Sequence, residues 1–266
     1  MFMLAKPSTE RDLNNKNFIG EVKIDGTRCM LIKKDGGFKL INRNFISYTN
    51  KFPEFLQDIE NLPDCILDGE LAGQEFRIVE SRCSTESRAR IEILSKRYPL
   101  KFMFFDILEL DGEDLRDMKL IERKKILSEV LNEGYENFVE VEWTEDLWGL
   151  WGYVKRNDLE GIMLKRKDGR YVAGRSCDWL KVKNFKEEIL KFDGYEENPA
   201  GVVLINPAGV RVQCAGNQSS MVKDLIDKRG FVFAEIQYLE KTDNGKLRMP
   251  TFRRVVLDEK WQASKV

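Results

Sequence analysis

The sequence predicts an α+β fold in a large N-terminal domain, followed by a small β-barrel. Strand and helix patterns are interspersed up to about residue 186 of a 266-residue chain. From about residue 188, short segments rich in Val, Ile and Phe (GVVLI, VRVQCA, FVFAEIQYL) are separated by Gly, Pro and Asn, which is typical of a small barrel. The charged stretch KVKNFKEEI suits a hinge. We therefore expect domains at residues 1–186 and 187–266.

The individual elements follow from hydrophobic periodicity and turn residues. Residues 18–43 indicate three short strands, because apolar and polar stretches alternate and turns are signalled at Asp25-Gly26 and Asp35-Gly36. Apolar residues at helical spacing predict a helix over 120–132, and Thr144 is expected to cap the next helix. The remaining predictions are a helix over 53–62, strands over 65–72, 100–110, 161–165 and 179–183, and a helix over 219–228.

The composition excludes several kinds of site. There are no histidines, which removes histidine general bases, Ser-His-Asp triads and most catalytic zinc sites. The five cysteines include no CxxC pair, so a zinc knuckle is not expected, and an odd number without an export signal indicates reduced thiols. No apolar run approaches membrane length, so we expect no membrane partner. Because the net charge is only −1, DNA binding would depend on local basic patches.

Residues 23–28, KIDGTR, lie between two predicted strands and allow two interpretations. They form either an ordinary hairpin turn at Asp-Gly or a site in which Lys23 is a nucleophile. In the second case Gly26 lets the backbone approach a nucleotide, and Arg28 clamps a sugar or a phosphate. A lysine attacks only when its amine is unprotonated, a state that neighbouring cations favour. The candidate cations are Arg28, Arg43, Lys165, Lys181 and Lys183.

Six motifs follow one another in the order found in the covalent nucleotidyltransferases, the superfamily of DNA ligases, RNA ligases and mRNA capping enzymes. They are KIDGTR (23–28), NRN (42–44), LDGEL (67–71), FFDIL (104–108), EGIMLK (160–165) and WLKVK (179–183). They resemble the KxDGxR, arginine, DGE, aromatic-Asp, EGxxxK and WLKxK motifs. The resemblance covers nearly the whole chain. It implies an ATP-grasp-like nucleotidyltransferase domain with antiparallel sheets and flanking helices, followed by an OB-fold.

The connecting residues resemble those of ATP-dependent DNA ligases in particular. The clearest stretches are FFDILELDGEDLRDMKLIERKKIL and EGIMLKRKDGRYVAGRSCDWLKVKN. NAD-dependent ligases share the lysine motif, but they carry a further N-terminal module and a four-cysteine zinc site, which we do not expect here. The resemblance therefore implies a minimal two-domain ligase with ATP as nucleotide donor, Mg²⁺ (or Mn²⁺) as metal and nicked double-stranded DNA as partner.

The resemblance also implies roles for individual residues. Lys23 attacks the α-phosphate of ATP and carries AMP. Phe105 stacks on adenine, Phe104 points into the core by strand alternation, and the backbone near Glu21 faces the adenine edge. From the residues alone, Phe105 has the alternative of a core aromatic, and Glu70 that of a solvated strand-end carboxylate. The other expected nucleotide-binding residues are Arg28, Arg43, Glu70, Lys181 and Lys183, and the expected metal-binding residues are Glu70 and Glu160.

Two positions depart from the family pattern. The arginine motif usually has Gly after Arg-Asn, where this chain has Phe45, so we expect a wider or differently shaped turn. The last ligase motif, RxDK, aligns with residues 256–259, VLDE, so that its arginine and lysine are missing. Arg254 lies on the same strand face as Val256 and is a candidate substitute, and Lys260 stands one residue late.

The sequence thus predicts a cytoplasmic monomer (or a viral protein acting in the host cytosol) that works in DNA replication, repair or recombination. It would seal 5′-phosphate/3′-hydroxyl nicks through lysyl-AMP and DNA-adenylate intermediates. Two alternatives stay open at this point. An RNA ligase or a capping-type nucleotidyltransferase would share the fold and the lysine. A catalytically silent nucleotide- or DNA-binding module is supported only by the altered RxDK region.

Overall fold

The chain divides into two compact units. A computed structural model describes residues 1–132, 134–242 and 245–256. The first unit comprises Met1–Lys183, and the second begins at Asn184. Each unit has its own buried apolar clusters, so each is considered by itself.

The first unit contains eleven described strands and five described helices. The strands are β1 Met3–Pro7, β2 Phe18–Val22, β3 Thr27–Lys34, β4 Gly37–Asn42, β5 Cys65–Ala72, β6 Lys101–Leu110, β7 Glu113–Asp114, β8 Phe138–Glu140, β9 Trp143–Thr144, β10 Gly161–Arg166 and β11 Gly174–Lys183. The helices are α1 Leu56–Asn61, α2 Phe76–Ser84, α3 Arg88–Arg97, α4 Leu120–Leu131 and α5 Leu147–Arg156, with 3₁₀ turns at Glu10–Asn14 and Pro53–Phe55.

Most predicted elements of this unit are confirmed, with several omissions and one correction. The sequence did not indicate the short strands β1, β7, β8 and β9. It also did not indicate α2 and α3, because these two helices are largely polar. They pack through charge: the buried Arg82 guanidinium on α2 lies 2.8 Å from Glu54 and donates to the Tyr98 carbonyl just after α3, at 2.7 Å. The N-cap of α5 is Asp146, whose side chain accepts a hydrogen bond from the Gly149 N–H. Thr144, the predicted cap, lies two residues before Asp146.

The strands form two sheets that are mostly antiparallel. One sheet has the order β1-β11-β10-β2-β9, and the other has the order β4-β3-β5-β6-β7 with β8 beside β6. Only β1 with β11 and β6 with β8 run parallel among the described pairs. The predicted α+β arrangement of antiparallel sheets with flanking helices is thus present in this part of the chain.

The segment after β2 is not a hairpin turn. β2 pairs with β9 and β10, whereas β3 pairs with β4 and β5, so residues 23–26 cross from one sheet to the other. Gly26 makes this crossing possible, because a Cβ at that position would lie 2.2 Å from the Leu71 carbonyl oxygen. The ordinary interpretation of the Asp-Gly pair as a hairpin is therefore wrong. Lys23 stands at the junction of two sheets.

Strand β6 separates two apolar clusters. Phe102 and Phe104 face one cluster, where their rings stack with centroids 4.1 Å apart. Phe105 faces the other cluster, together with Trp179. The predicted orientation of Phe104 into the core is confirmed, and the two-residue period of the strand places Phe105 on the opposite face.

Helix α4 is fixed to β6 by a fully buried ion pair. Arg123 donates to both carboxylate oxygens of Asp106, at 2.7 and 2.9 Å, and both side chains are completely buried. Its remaining amino group donates to the carbonyls of Met118, at 2.6 Å, and Gly169, at 3.2 Å. A buried charge is tolerated only when it is paired and hydrogen-bonded in this way. The pair therefore determines where α4 lies.

The second unit is a β-rich body with one helix. Its described elements are β12 Lys186–Phe192, β13 Gly194–Asn198, β14 Gly201–Ile205, β15 Arg211–Cys214, α6 Asn217–Arg229, β16 Val232–Tyr238, β17 Glu240–Lys241, β18 Leu247–Arg248 and β19 Thr251–Val256. They pair as β12-β16-β19, β13-β14-β15 and β17-β18. The predicted helix is confirmed. The described strands do not close into a barrel, so the barrel prediction is not confirmed.

All five cysteines are free thiols, of which only Cys177 is exposed. No helix within the described residues is both long enough and apolar enough to cross a membrane.

Candidate active site

Lys23 immediately follows β2 and is paired with a carboxylate. Its backbone N–H donates to the Gly161 carbonyl at 2.9 Å, which fixes the start of the crossing segment against β10. Its ammonium lies 2.5 Å from Glu160 Oε2, and Glu160 Oε1 lies 3.1 Å from the Lys183 ammonium. The Glu160 side chain is only 6% exposed, so this contact is screened little by water. Glu160 thus bridges two of the predicted site lysines.

Lys181 adds a third cation to this group. It lies on β11 two residues before Lys183, so the two side chains share one face of the strand. Partial burial lowers the pKa of Lys181, and the positive charges of Lys183 and Lys23 lower it further. Both neighbouring lysines therefore act electrostatically on Lys181.

Arg28, at the start of β3, is held by a buried carboxylate. It donates from Nε and Nη2 to the two oxygens of Asp68, both at 2.6 Å. The Tyr171 hydroxyl also donates to Asp68 at 2.6 Å and accepts from the Met3 N–H at 3.0 Å. Burial alone would lower the pKa of Arg28, but the Asp68 carboxylate outweighs it and raises that pKa. Arg28 is thus a fixed, permanently charged group.

Two cations lie close to the ring of Phe105. The Arg28 guanidinium is 4.5 Å from the ring centroid, and the Lys165 ammonium is 4.0 Å from it. Trp179 meets the ring edge-on at 5.8 Å. Phe105 is 8% exposed and belongs to an apolar cluster, so it packs like a core residue in addition to any contact with a base.

The side chain of Glu21 lies between two buried lysines, which the sequence did not predict. Glu21 Oε2 is 2.7 Å from the Lys165 ammonium, and Oε1 is 2.5 Å from that of Lys124 on α4. Burial lowers the pKa of Lys165 to about 8, with repulsion from Lys124 in the same direction and attraction to Glu21 opposing it. A signal for Lys124 was available, because it lies at helical spacing between Leu120 and Leu127.

Glu70, near the end of β5, faces the same cations. Burial raises its pKa to about 7, although Arg28 and Lys23 act to lower it. The Asp68 and Glu160 carboxylates add to the rise. Glu70 is therefore electrostatically coupled to both Lys23 and Glu160, and the two predicted metal-binding carboxylates act on one region.

Arg43 lies apart from this network, on the exposed turn after β4. The turn is tight rather than wide, which corrects the expectation for Phe45. Phe45 takes the left-handed conformation with φ +62°, and its N–H donates to the Asn42 carbonyl. The Asn42 side-chain oxygen accepts from the Asn44 and Ile46 N–H groups. Phe45 therefore takes a backbone conformation usually left to Gly, with its side chain 60% exposed.

The other predicted departure concerns the end of the chain. Residues 257–259 of the altered RxDK motif lie outside the described residues, and Val256 is the last residue of β19. Arg254, the candidate substitute, lies 2.6 Å from Glu235 on β16.

This arrangement is suited to phosphoryl transfer from a nucleotide. An amine nucleophile stands at a sheet junction beside two further lysines, and such a cluster can neutralise phosphate oxygens. Residues 2–183 match the family model described as ATP dependent DNA ligase domain. The chain belongs to the ATP-dependent DNA ligase family.

Individual relatives show how much of a ligase the chain represents. It is 28% identical over 266 residues to the SPbeta prophage-derived DNA ligase-like protein LigB of Bacillus subtilis (strain 168), covering 92% of this chain and 95% of LigB. It is 29% identical over 202 residues to the bifunctional non-homologous end joining protein LigD of the same organism, but covers only 33% of LigD. The chain thus spans nearly all of LigB and about a third of LigD.

Solved structures share the fold of this ligase. A structure from a study of Lig E DNA ligases, "DNA binding with a minimal scaffold", has a TM-score of 0.71 with 23% identity, covering 96% of this chain and 98% of that chain. A mycobacterial DNA ligase D complexed with ATP and MES has a TM-score of 0.60 with 21% identity, covering 97% and 95%.

Glu70 should make the stability of this ligase depend on pH. Its pKa in the folded protein, about 7, lies above the ordinary value of 4.5, so its contribution is favourable below pH 4.5 and is lost as pH rises through 7. Glu70→Gln should therefore unfold at higher urea concentration than wild type at pH 8.5, with a gain of roughly 1–2 kcal/mol after allowance for partial exposure.

At pH 5 this advantage should be absent. Glu75→Gln, which changes an exposed carboxylate, is the matched control and should differ little from wild type at either pH. An E70Q variant with the same stability difference at both pH values would contradict the raised pKa.

Proposed function

We propose that this ligase seals nicks in duplex DNA by three phosphoryl transfers that pass AMP through Lys23. In the first, the Lys23 amine attacks the α-phosphorus of ATP, a P–N bond forms, and pyrophosphate leaves as the P–O bond breaks. In the second, AMP passes to the 5′-phosphate of a nick and the amine is released. In the third, the 3′-hydroxyl attacks that 5′-phosphate and AMP leaves. The position of Lys23 at the sheet junction, among Glu160, Lys181 and Lys183, is the main support.

The contacts of Lys23 bear on how its amine becomes reactive. In the ion pair with Glu160 the ammonium is protonated and cannot attack. Glu160 Oε2, at 2.5 Å, is the nearest acceptor for the proton that must leave. Lys181 and Lys183 are proposed to contact the phosphate oxygens when ATP is bound. A proton acceptor and phosphate-binding cations are thus proposed around the same amine.

The adenine site is proposed on the face of Phe105. The Lys165 ammonium, 4.0 Å from the ring centroid, is placed to donate a hydrogen bond to a base that stacks there. The Glu21 carboxylate behind it accepts from an exocyclic amino group. Adenine presents an amino group and a ring acceptor side by side, whereas guanine presents a carbonyl and a ring N–H, so this pair would favour ATP over GTP.

Other groups are proposed to bind the ribose and the phosphates. Arg28 uses Nε and Nη2 for Asp68, so a ribose contact falls to its remaining amino group, with Glu70 as the carboxylate opposite. Arg43, exposed on the turn after β4, is proposed to contact a phosphate. Because Arg28 is fixed by Asp68, its geometry toward a nucleotide is set before binding.

Glu70 and Glu160 are proposed to hold Mg²⁺. No group of three or more acidic or thiol side chains that could hold a metal occurs in the described part of the chain. Mg²⁺ commonly binds one or two carboxylates and completes its shell with water and substrate phosphates, which these two residues fit. When bound, the ion supplies positive charge to the phosphates of ATP.

The second unit is proposed to be an OB-fold. Its strand–helix–strand order, with α6 between β15 and β16, supports this assignment. Both three-stranded sheets and α6 contribute to one apolar cluster, which includes Leu204, Val222 and Ile236.

We infer that nicked duplex DNA is bound mainly through phosphate contacts by a cytoplasmic monomer, with residues 1–186 and 187–266 as its domains. Such binding is expected to weaken steeply with salt.

Intact-mass measurement of the wild-type protein tests the proposed function. Incubation with ATP and Mg²⁺ should add the mass of one AMP, and a nicked DNA duplex with a 5′-phosphate should then remove it and yield sealed product. Incubation with GTP should add nothing, and a nicked RNA duplex should be sealed poorly. The absence of an AMP adduct, or an adduct from GTP alone, would refute the proposal.

A further inference from the structure

Three buried charged side chains meet at β2, the strand that precedes Lys23, and their charges do not sum to zero. The carboxylate of Glu21 on β2 contacts the ammonium of Lys124 on α4 and that of Lys165 on β10, at 2.5 and 2.7 Å. No side chain of the three is more than 2% exposed. One carboxylate is thus shared by two buried lysines, where a single ion pair would be neutral. The three side chains therefore carry one more positive charge than negative charge.

Neighbouring acids compensate the surplus only in part. Glu140 on β8 is half-buried and attracts Lys124 electrostatically. Asp106 attracts Lys165, but its two oxygens are already occupied by Arg123. Lys124 therefore depends on Glu21 as its closest partner.

The two lysines differ in their contacts other than Glu21. The Lys165 ammonium lies 4.0 Å from the Phe105 ring centroid and 4.3 Å from that of Trp179, so it borders the face where the base is proposed to stack. Lys124 comes from α4, the helix that is fixed to β6 by the buried pair of Arg123 and Asp106. Lys165 is thus the lysine that contacts the proposed base site, whereas Lys124 contacts Glu21 from α4.

We propose that Lys124 is a positioning residue for nucleotide binding: it keeps the Glu21 carboxylate paired while Lys165 donates to the base. Without Lys124, each nucleotide that binds would separate Glu21 from its only lysine and leave a buried carboxylate without a cation. That separation is unfavourable in a low-dielectric interior. The inference rests on the proposed function, since it assumes that Lys165 contacts the base of ATP.

A purely structural role makes a different prediction. If Lys124 only tied α4 to the sheet, its loss would lower stability and would affect ATP binding no more than the rate of adenylylation. In the positioning role, Lys124→Met leaves Glu21 and Lys165 as a balanced pair in the free protein. The variant should therefore fold, and the defect should appear when ATP binds.

The test uses three variants of the full chain and follows AMP-adduct formation against ATP concentration. K124M should raise the half-saturating ATP concentration by roughly 10- to 100-fold, the range of one charge-assisted hydrogen bond. Its maximal rate should fall less than about threefold. K124R, which keeps the cation, should recover most of the affinity. K125M changes the exposed neighbour on the same helix and should match wild type.

The outcomes separate this inference from the proposed function. If wild type forms no adduct, the proposed function fails. If wild type and K125M form it and K124M has an unchanged half-saturating ATP concentration, only the role of Lys124 is refuted. A lower maximal rate with unchanged ATP affinity would also refute it. So would a K124M variant that does not fold, because the balanced pair predicts a folded protein.

Discussion

Lys23→Ala is expected to abolish both the AMP adduct and nick sealing, with a loss of at least roughly 10⁴-fold. The lysine amine is the atom that bonds to phosphorus in the first transfer and is released in the second, so nothing replaces it when it is removed. The third transfer does not use the amine. K23A should therefore still join a nick that already carries AMP on its 5′-phosphate. Intact mass and gel-resolved sealing measure the two parts.

Two controls support that experiment. Lys16→Ala removes an exposed lysine and should leave adduct formation unchanged. Lys23→Arg keeps a positive charge opposite Glu160 but offers a guanidinium, which stays protonated and does not attack. Adduct formation or sealing of an ordinary nick by K23A would refute the assignment of the nucleophile. Failure of K23A to join the pre-adenylylated nick would show that Lys23 also acts in the last step.

Arg123→Met is expected to produce the largest loss of stability, about 3–5 kcal/mol. It leaves the Asp106 carboxylate, which is completely buried, without its cation, and it removes the donors to the Met118 and Gly169 carbonyls. For a protein of this size the midpoint of thermal unfolding should fall by roughly 8–15 °C. Circular dichroism during heating gives the measurement.

A double variant separates the buried charge from the lost packing. R123M combined with Asp106→Leu removes both charges and should recover more than half of the stability that R123M loses. Arg116→Met breaks a partly exposed pair with Asp114 and should change the midpoint little. If R123M and R116M are equally stable, the buried pair contributes nothing special. Strictly additive single and double variants would show that the two charges do not interact.

Much of this molecule could be predicted from local patterns. Strand β5 coincides with the predicted strand over 65–72, because its apolar residues are flanked by turn residues. Lys23, Glu160, Lys181 and Lys183 belong to separate motifs, and the structure brings Lys23, Glu160 and Lys183 into direct contact. Local motifs are therefore sufficient to select these residues from the sequence.

Buried charge pairs were not predictable in the same way. The stretch ERKK at 122–125 reads as a solvated helix face, yet Arg123 and Lys124 are buried and Lys125 is exposed. Which charges are buried depends on partners far along the chain, Asp106 and Glu21, and no local pattern reports such a pairing. The position of Lys124, at helical spacing between Leu120 and Leu127, was the only local indication that it is buried. In a hydropathy analysis the charge of Lys124 outweighs that indication.

The prediction of a wider turn at Phe45 was wrong for a different reason. A propensity rule assigns left-handed backbone to Gly, so a phenylalanine suggested another turn shape. Three hydrogen bonds around Asn42 hold the tight turn regardless of the residue at position 45. Local side-chain bonding outweighed the intrinsic preference, which costs only about 1–2 kcal/mol.

The distribution of the thiols has a practical consequence. Cys177 is the one exposed cysteine of five, and it lies on β11 four residues before Lys181, with its sulfur 3.0 Å from the Lys6 ammonium. A maleimide dye added to the native protein should therefore attach at a single site, Cys177, on the strand that carries Lys181 and Lys183. Its fluorescence would report the arrival of ATP in real time, without any engineered cysteine.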